Sequence, residues 1–276
     1  MALGVDAGAG VIALITGASS GIGAEFARQL AARRYDLVLV ARRKERLEKL
    51  ASDLAGAHGI RAEALAADLT ADQDLQTVEH RIVGDGGIDL LVNNAGFGVP
   101  GRFWETTVEE QDSLHRLHIM ATMRLTHAAL AGMTARNSGA VINVSSVAAF
   151  MPAAISSTYG STKAWINAFT EGLYLELKSQ RSAVKMQALC PGFTYSEFHD
   201  VTHQDRRVIP KPLWLHAQDV VAASLRGLDR GQLFVVTGWR YKLLVALFPA
   251  LPRFLRNPMI LKYSRRRESA SSPTKH

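Results

Sequence analysis

Along residues 11–237, short apolar runs rich in Val, Ile and Leu alternate with longer stretches of helical periodicity, and this alternation constrains the fold more than any other feature. Strands are predicted over 11–16, 36–41, 61–66, 88–93, 140–145, 184–189 and 233–237. Helices are predicted between them over 21–33, 44–58, 72–83, 109–136, 156–180 and 218–228. The strand segments are apolar almost throughout rather than at every second residue, the pattern of a sheet covered on both faces. Such alternating elements imply an α/β fold with a doubly wound parallel sheet, whose ligands gather at the carboxyl ends of the strands. Residues 195–216 mix Pro, His and aromatic side chains without clean periodicity and are expected to form a substrate loop or lid. No repeat or low-complexity linker divides the chain, so residues 1–238 are expected to be one domain.

With 276 residues and 47% apolar composition, the chain can bury a full core. Its formal charge of +7 is a property of the tail. Residues 239–276 hold nine Lys/Arg against the single acid Glu268, leaving 23 basic and 24 acidic groups in residues 1–238. A nearly neutral body without a recognition motif argues against a nucleic-acid partner. Cys190 is the only cysteine, so no intrachain disulfide forms and a reducing, cytoplasmic setting fits. Residues 1–10 lack a basic segment followed by an apolar one, so no signal peptide is expected. No run approaches the roughly 18 apolar residues that a spanning helix needs; residues 243–251 come nearest and are broken by Pro249.

The turn 16–23, Thr-Gly-Ala-Ser-Ser-Gly-Ile-Gly, joins the first predicted strand to the first helix. Gly17, Gly21 and Gly23 permit a tight turn and close backbone approach, and the N–H groups of a helix N-terminus suit a pyrophosphate. Such a turn is also compatible with a purely structural role; its place on the first strand of an alternating chain is what points to a dinucleotide. The second strand ends in Ala41-Arg42-Arg43. An NAD-specific site has an acid near this point for the ribose 2′-OH, whereas a nearby Arg accommodates a 2′-phosphate. Arg42 and Arg43 are also readable as the solvated start of a helix. Cations are disfavoured there, however, and a bound phosphate would compensate them, which favours NADP.

Tyr159 and Lys163 stand four residues apart on a predicted helix and share one face. An ammonium beside a phenol stabilises the phenolate, so Lys163 is expected to bring Tyr159 below its reference pKa of about 10 for acid–base work. A lone pair of this kind is common on helix surfaces. Here it is accompanied by Asn93-Asn94-Ala95-Gly96 after the fourth strand, Ser145-Ser146 after the fifth and Pro191-Gly192-Phe193-Thr194 after the sixth. With the 16–23 turn, these motifs resemble the short-chain dehydrogenase/reductase family, over residues 10 to 238.

The resemblance implies a Rossmann-like dinucleotide-binding catalytic domain, and roles follow by position. Tyr159 would be the catalytic acid/base, with Lys163 lowering its pKa and holding the nicotinamide ribose. Ser146 would hydrogen-bond the reacting oxygen. Gly17, Ser19, Ser20, Gly21, Ile22 and Gly23 would form the pyrophosphate turn, and Asp68 and Leu69 would line the adenine. Asn94, with Ala95 and Gly96, would position the cofactor near its ribose; Thr194, with Pro191 and Gly192, would contact the carboxamide. No metal is expected. His118 departs from the pattern, standing where the family has an asparagine in a proton relay through the lysine. Two readings are open: a hydrogen-bonded core residue, with the relay running through water, or a proton shuttle in its own right.

Segments 97–104, 148–155 and 193–199 are expected around the substrate and supply Phe97, Val99, Phe103, Trp104, Phe150, Met151, Ile155, Phe193, Tyr195 and Phe198. An aromatic cleft suits a bulky hydrophobic carbonyl or alcohol, steroid-like, aromatic or long-chain acyl, although such residues also pack in cores. Residues 239–268 form a hydrophobic-basic C-terminal extension, and 269–276 a tail expected to be disordered. The extension is expected to pack on the protein or a partner subunit, with peripheral membrane contact through 239–267 as the second reading. The family likeness implies a homodimer or tetramer. The leading expectation is an NADP-dependent oxidoreductase; its rivals are a membrane-peripheral long-chain acyl or lipid ketone reductase and a non-enzymatic NADP(H) sensor.

Overall fold

The computed structural model describes residues 10–84, 87–99, 101–152, 154, 157–197 and 209–271, without the side chains of 263 and 266–271. The apolar runs form seven strands: β1 (Ile12–Thr16), β2 (Asp36–Ala41), β3 (Ala62–Ala66), β4 (Leu90–Asn93), β5 (Ala140–Val144), β6 (Lys185–Cys190) and β7 (Phe234–Val236). They pair in the order β3-β2-β1-β4-β5-β6-β7, every pair parallel. The crossovers are α1 (Gly21–Ala32), α2 (Lys44–His58), α3 (Asp72–Val83), α4 (Val108–His115) with α5 (Thr122–Ala135), α6 (Ser157–Ser179) and α7 (Ala217–Asp229). This is the doubly wound parallel sheet that the alternation predicts. The direction of winding reverses between β1 and β4, opening a crevice at their carboxyl ends where ligands bind in such sheets.

Alternate residues of β1 feed two cores. Ala13 and Ile15 pack with Phe26, Leu30, Leu47 and Val220 beneath α1, α2 and α7. Ile12 and Leu14 pack with Val78, Ile82, Leu125 and Leu177 beneath α3, α5 and α6. A buried polar ladder ties the second layer to the sheet. Asn93 Nδ2 donates to Thr126 Oγ1 (3.0 Å) and to Asn143 Oδ1 (2.9 Å), and Asn143 Nδ2 donates to Thr170 Oγ1 (2.9 Å). The ladder fixes α6, and with it the Tyr159–Lys163 turn, against the ends of β4 and β5.

Two features differ from the sequence expectation. The single helix predicted over 109–136 is interrupted by a π-helical segment, Arg116–Ala121, which carries His118. A wider turn of this type leaves no proline or glycine signature in the sequence. The C-terminal extension forms two helices, α8 (Trp239–Leu247) and α9 (Arg253–Ser271). Residues 269–271, expected in the disordered tail, thus belong to α9, and 272–276 lie outside the described residues.

Candidate active site

The turn from β1 to α1 meets the requirements of an anion cradle. Gly17 has φ +66°, and a Cβ there would lie 2.8 Å from Asn94 Nδ2. A Cβ on Gly23 would lie 2.3 Å from the Gly17 carbonyl, so only glycine lets α1 start this close to the turn. No side chain caps the start of α1 and its first turn holds no acid, which leaves its N–H groups and dipole directed at the crevice. Thr16 Oγ1 accepts from the N–H of Asn94 and of Ala95, both at 2.9 Å, joining the β1 and β4 sides. Asn94 Nδ2 donates to the Thr16 carbonyl at 2.8 Å, so its amide braces the turn.

Beside the turn, Arg43 Nη2 donates to Ser19 Oγ and Ser20 Oγ, each at 2.9 Å. Arg42 is exposed at the same edge. Asp68 Oδ1 accepts from the Thr70 N–H (3.0 Å) and hydroxyl (2.8 Å), which orders the end of β3. Leu69, next to it, is buried in the second core layer.

At the ends of β5 and β6, Ser146, Tyr159 and Lys163 converge. Ser146 Oγ accepts from the Ala148 N–H at 3.1 Å and hydrogen-bonds Tyr159. Lys163 Nζ, 5.7 Å from the centre of the Tyr159 ring, donates to the Val144 carbonyl at 2.8 Å. Ser145 Oγ holds the Lys163 carbonyl at 3.0 Å. Lys163 is buried, and desolvation lowers its pKa to about 8. The Tyr159 ring is partly exposed, yet protein surrounds its hydroxyl and pushes the phenol up to about 12, with the Ser146 hydrogen bond pulling the other way. Without a bound dinucleotide this reverses the expected direction: burial outweighs the Ser146 hydrogen bond, and the Lys163 ammonium is held on a backbone carbonyl. Cys190, beneath this group, is buried and its thiol is pushed up to about 12 by burial.

His118 is buried, with both ring nitrogens engaged. The Phe97 N–H donates to Nε2 at 3.2 Å, which assigns the proton to Nδ1, 2.9 Å from Thr162 Oγ1. The Thr162 hydroxyl in turn donates to the Tyr159 carbonyl at 2.9 Å. Burial, then the Lys163 charge, holds the imidazole well below its usual pKa. Its ring centre lies 5.7 Å from that of Tyr159, with the two planes at 71°, and a Cβ on Gly96 would meet Nε2 at 2.8 Å. Of the two open readings, this geometry favours the hydrogen-bonded core residue. Thr162, three residues after Tyr159 on the inner side of α6, completes the connection and is a site residue that the sequence reading overlooked.

An aromatic cluster stands on the segments expected to line the substrate, but its makeup differs from the expected set. Trp214 stacks on Tyr195 at 4.8 Å and lies 5.8 Å from Phe193; Trp214 itself has no signal in the local pattern. Phe97 leans on His118, while Phe103 and Trp104 are 59% and 78% exposed on the rim. Phe150 packs against Phe234, and Ile155 and Phe198 lie outside the described residues. The Thr194 hydroxyl donates to the Gly192 carbonyl at 3.0 Å, and the Pro191 carbonyl accepts from the Val147 N–H at 3.0 Å. Behind them, Tyr241 of α8 accepts from the Phe193 N–H (3.1 Å) and donates to the Leu213 carbonyl (2.6 Å). The C-terminal extension is therefore bound to the segment that carries Phe193 and to Leu213.

The short chain dehydrogenase pattern matches residues 11–207. The chain belongs to that family. As a short-chain dehydrogenase it is an oxidoreductase of the alcohol/ketone type that works with a nicotinamide dinucleotide. It is 32% identical over 267 residues to a very-long-chain 3-oxoacyl-CoA reductase of Phaeosphaeria nodorum, covering 93% of this chain and 76% of that protein. A short-chain dehydrogenase from Sphingobium yanoikuyae, solved with NADPH, superposes with a TM-score of 0.80 at 38% identity, covering 86% of this chain and 93% of the other. A bulky-bulky ketone specific alcohol dehydrogenase from Comamonas testosteroni superposes with a TM-score of 0.74 at 33% identity, covering 96% of each chain.

Proposed function

We propose that the protein transfers a hydride between NADP(H) and the carbonyl or secondary alcohol of a bulky hydrophobic substrate, with Tyr159, Lys163 and Ser146 as its catalytic residues. The observation that carries this reading is the convergence of a protonated phenol, a buried ammonium and a serine hydroxyl beside an uncapped glycine turn. Arg43 at that turn supports the phosphorylated dinucleotide, as does the NADPH-bound relative. The aromatic cleft supports a large apolar ketone, as does the relative specific for bulky ketones.

A reduced nicotinamide dinucleotide, its pyrophosphate held at residues 16–23, would supply the hydride. Ser146, whose oxygen already accepts from Ala148, donates a hydrogen bond to the substrate carbonyl oxygen and keeps its proton. Tyr159 transfers its proton to that oxygen as the C=O π bond is replaced by one C–H and one O–H bond. A phenol whose pKa is about 12 is protonated at neutral pH and ready for this step. The Lys163 ammonium then stabilises the phenolate left behind, and water returns the proton. Ser146 and Tyr159 together stabilise the charge developing on oxygen.

The exposed face of the extension favours a second reading, a long-chain acyl ketone reductase working at a membrane surface. Trp239, Leu243 and Leu247 are spaced four apart along α8 and are 63%, 52% and 64% exposed. Residues 239–267 contain eight Lys/Arg and no acid. An isologous contact with a second copy would set these like charges together, whereas an anionic lipid interface accepts both the apolar and the basic groups. Among the described residues, no helix is long and apolar enough to cross a membrane.

A panel of bulky aryl, steroid-like and long-chain 3-oxoacyl ketones, assayed with NADPH and NADH in parallel, tests the main reading. Turnover of at least one class with NADPH preferred is expected; NADH as the better donor would overturn the cofactor assignment. Co-sedimentation of the full chain with phosphatidylserine vesicles tests the second reading. Loss of binding in a Trp239→Ala/Leu243→Ala/Leu247→Ala variant supports it, and equal partitioning of the two proteins overturns it.

A further inference from the structure

Five residues after β6 connect the substrate cleft to the cofactor edge. Phe193 and Tyr195 contribute to the aromatic wall around Trp214. Ser196 then crosses the glycine turn: a Cβ on Gly21, whose φ is +56°, would lie 3.1 Å from Ser196 Cβ. At the end of this strap, Glu197 reaches the α2 start. Its Oε2 accepts from Arg43 Nη1 and its Oε1 from Arg46 Nη1, each at 2.7 Å. Arg43 simultaneously holds Ser19 and Ser20. One carboxylate, two guanidinium groups and two hydroxyls thus meet past the end of β2, where a bound dinucleotide would be expected to bring its adenine ribose.

This arrangement reproduces what a 2′-phosphate requires: an anion at bidentate distance from paired arginines. Glu197 remains ionised throughout the working range, since Arg43 and then Arg46 hold its carboxyl down at about 2. It is therefore a constant occupant of the arginine pair, displaced only by a better anion. A phosphate monoester carries more charge and more acceptor oxygens than a carboxylate, whereas the 2′-hydroxyl of an unphosphorylated ribose is no competitor.

We propose that Glu197 is a specificity-determining residue: an internal competitor for the 2′-phosphate on Arg43 and Arg46, whose displacement releases the Ser196–Glu197 strap from the glycine turn. The inference rests on the NADP(H) reading above. NADPH binding breaks the Glu197–Arg43 and Glu197–Arg46 pairs and replaces them with phosphate contacts. NADH leaves both pairs intact. Because Tyr195 and Glu197 share one short segment, recognition of the phosphate is communicated to the wall of the substrate cleft.

Calorimetric titration of the full chain with NADPH, NADH and adenosine 2′,5′-bisphosphate separates the outcomes. Two partly exposed ion pairs are together worth about a three- to tenfold change in affinity. Glu197→Gln is expected to raise the NADPH/NADH affinity ratio, and the affinity for adenosine 2′,5′-bisphosphate, by that factor. Arg43→Ala is expected to lower both. If Arg43→Ala weakens NADPH binding but Glu197→Gln leaves the ratio where it was, the competitor role is wrong while the cofactor reading survives. If neither Arg43→Ala nor Arg46→Ala changes NADPH affinity, both fall.

Discussion

The Nδ1 of His118 and the hydroxyl of Thr162 lie 2.9 Å apart, and that hydroxyl donates its own hydrogen bond to the backbone carbonyl of Tyr159. With Nε2 occupied by the Phe97 N–H and the Nδ1 proton donated to Thr162, the one lone pair and the one proton of the neutral imidazole are both engaged. It acts as a positioning residue, fixing the first turn of α6 against the loop after β4. His118→Ala is expected to cost about 2–4 kcal/mol in unfolding free energy, through the void and the orphaned Phe97 and Thr162 groups. Turnover should fall while the shape of the pH profile is retained. A profile displaced near neutrality in the variant would restore His118 as a proton shuttle.

Tyr159 carries the proton in the proposed chemistry. General acid catalysis contributes about a hundred- to ten-thousandfold, so Tyr159→Phe is expected to reduce kcat by that factor in single-turnover assays. NADPH affinity should change little, because the ring is retained and only the hydroxyl is lost. Turnover equal to that of the parent chain would remove the phenol from the mechanism.

How much of this was legible beforehand follows from what each feature depends on. The sheet was, because burial on both faces makes runs such as residues 12–15 of β1 continuously apolar, and glycine is forced at 17 and 23 by contacts that any side chain would violate. The convergence of Ser146, Tyr159 and Lys163 follows from strand ends and helix spacing, both local properties. The direction of the Tyr159 pKa was not legible, since it depends on how much protein surrounds the hydroxyl rather than on the lysine four residues away. Thr162, Glu197 and Tyr241 escaped notice for a related reason: their partners, His118, Arg43 and Phe193, are 44, 154 and 48 residues away in sequence. Contacts at that separation leave no periodicity to read. The π-helical Arg116–Ala121 was missed because its residues are ordinary helix formers.

The role of the C-terminal extension can be tested at Tyr241. Its ring lies so close to Gly192 that any Cβ there would overlap it, and its hydroxyl holds the Phe193 N–H and the Leu213 carbonyl. Tyr241→Phe strands both groups in a buried place, costing about 1–3 kcal/mol. Because these groups hold the aromatic wall, KM for a bulky ketone is expected to rise several-fold with a smaller change in kcat. A chain ending at residue 238 should lose the cleft altogether. Unchanged KM in Tyr241→Phe would mean that the extension does not shape the cleft.

The buried ammonium of Lys163 should be visible in stability as well as in rate. Its pKa in the folded chain is lowered from 10.5 to about 8, chiefly by desolvation. Between these values the unfolded chain holds a proton that the folded chain has released, so this residue makes the fold more stable as pH rises through that window. Below about pH 8 both states are protonated and the buried charge costs the fold about 3 kcal/mol. Lys163→Met removes the titration. Tyr159 and Cys190, whose pKas are pushed upward, titrate in both chains and largely cancel in the comparison. Denaturant unfolding of the dinucleotide-free proteins should show the parent gaining about 2 kcal/mol on Lys163→Met between pH 8 and 10, with a constant difference from pH 6 to 7.5. A parent that gains nothing over the variant in that interval would place the Lys163 ammonium in water, away from the phenol it is meant to support.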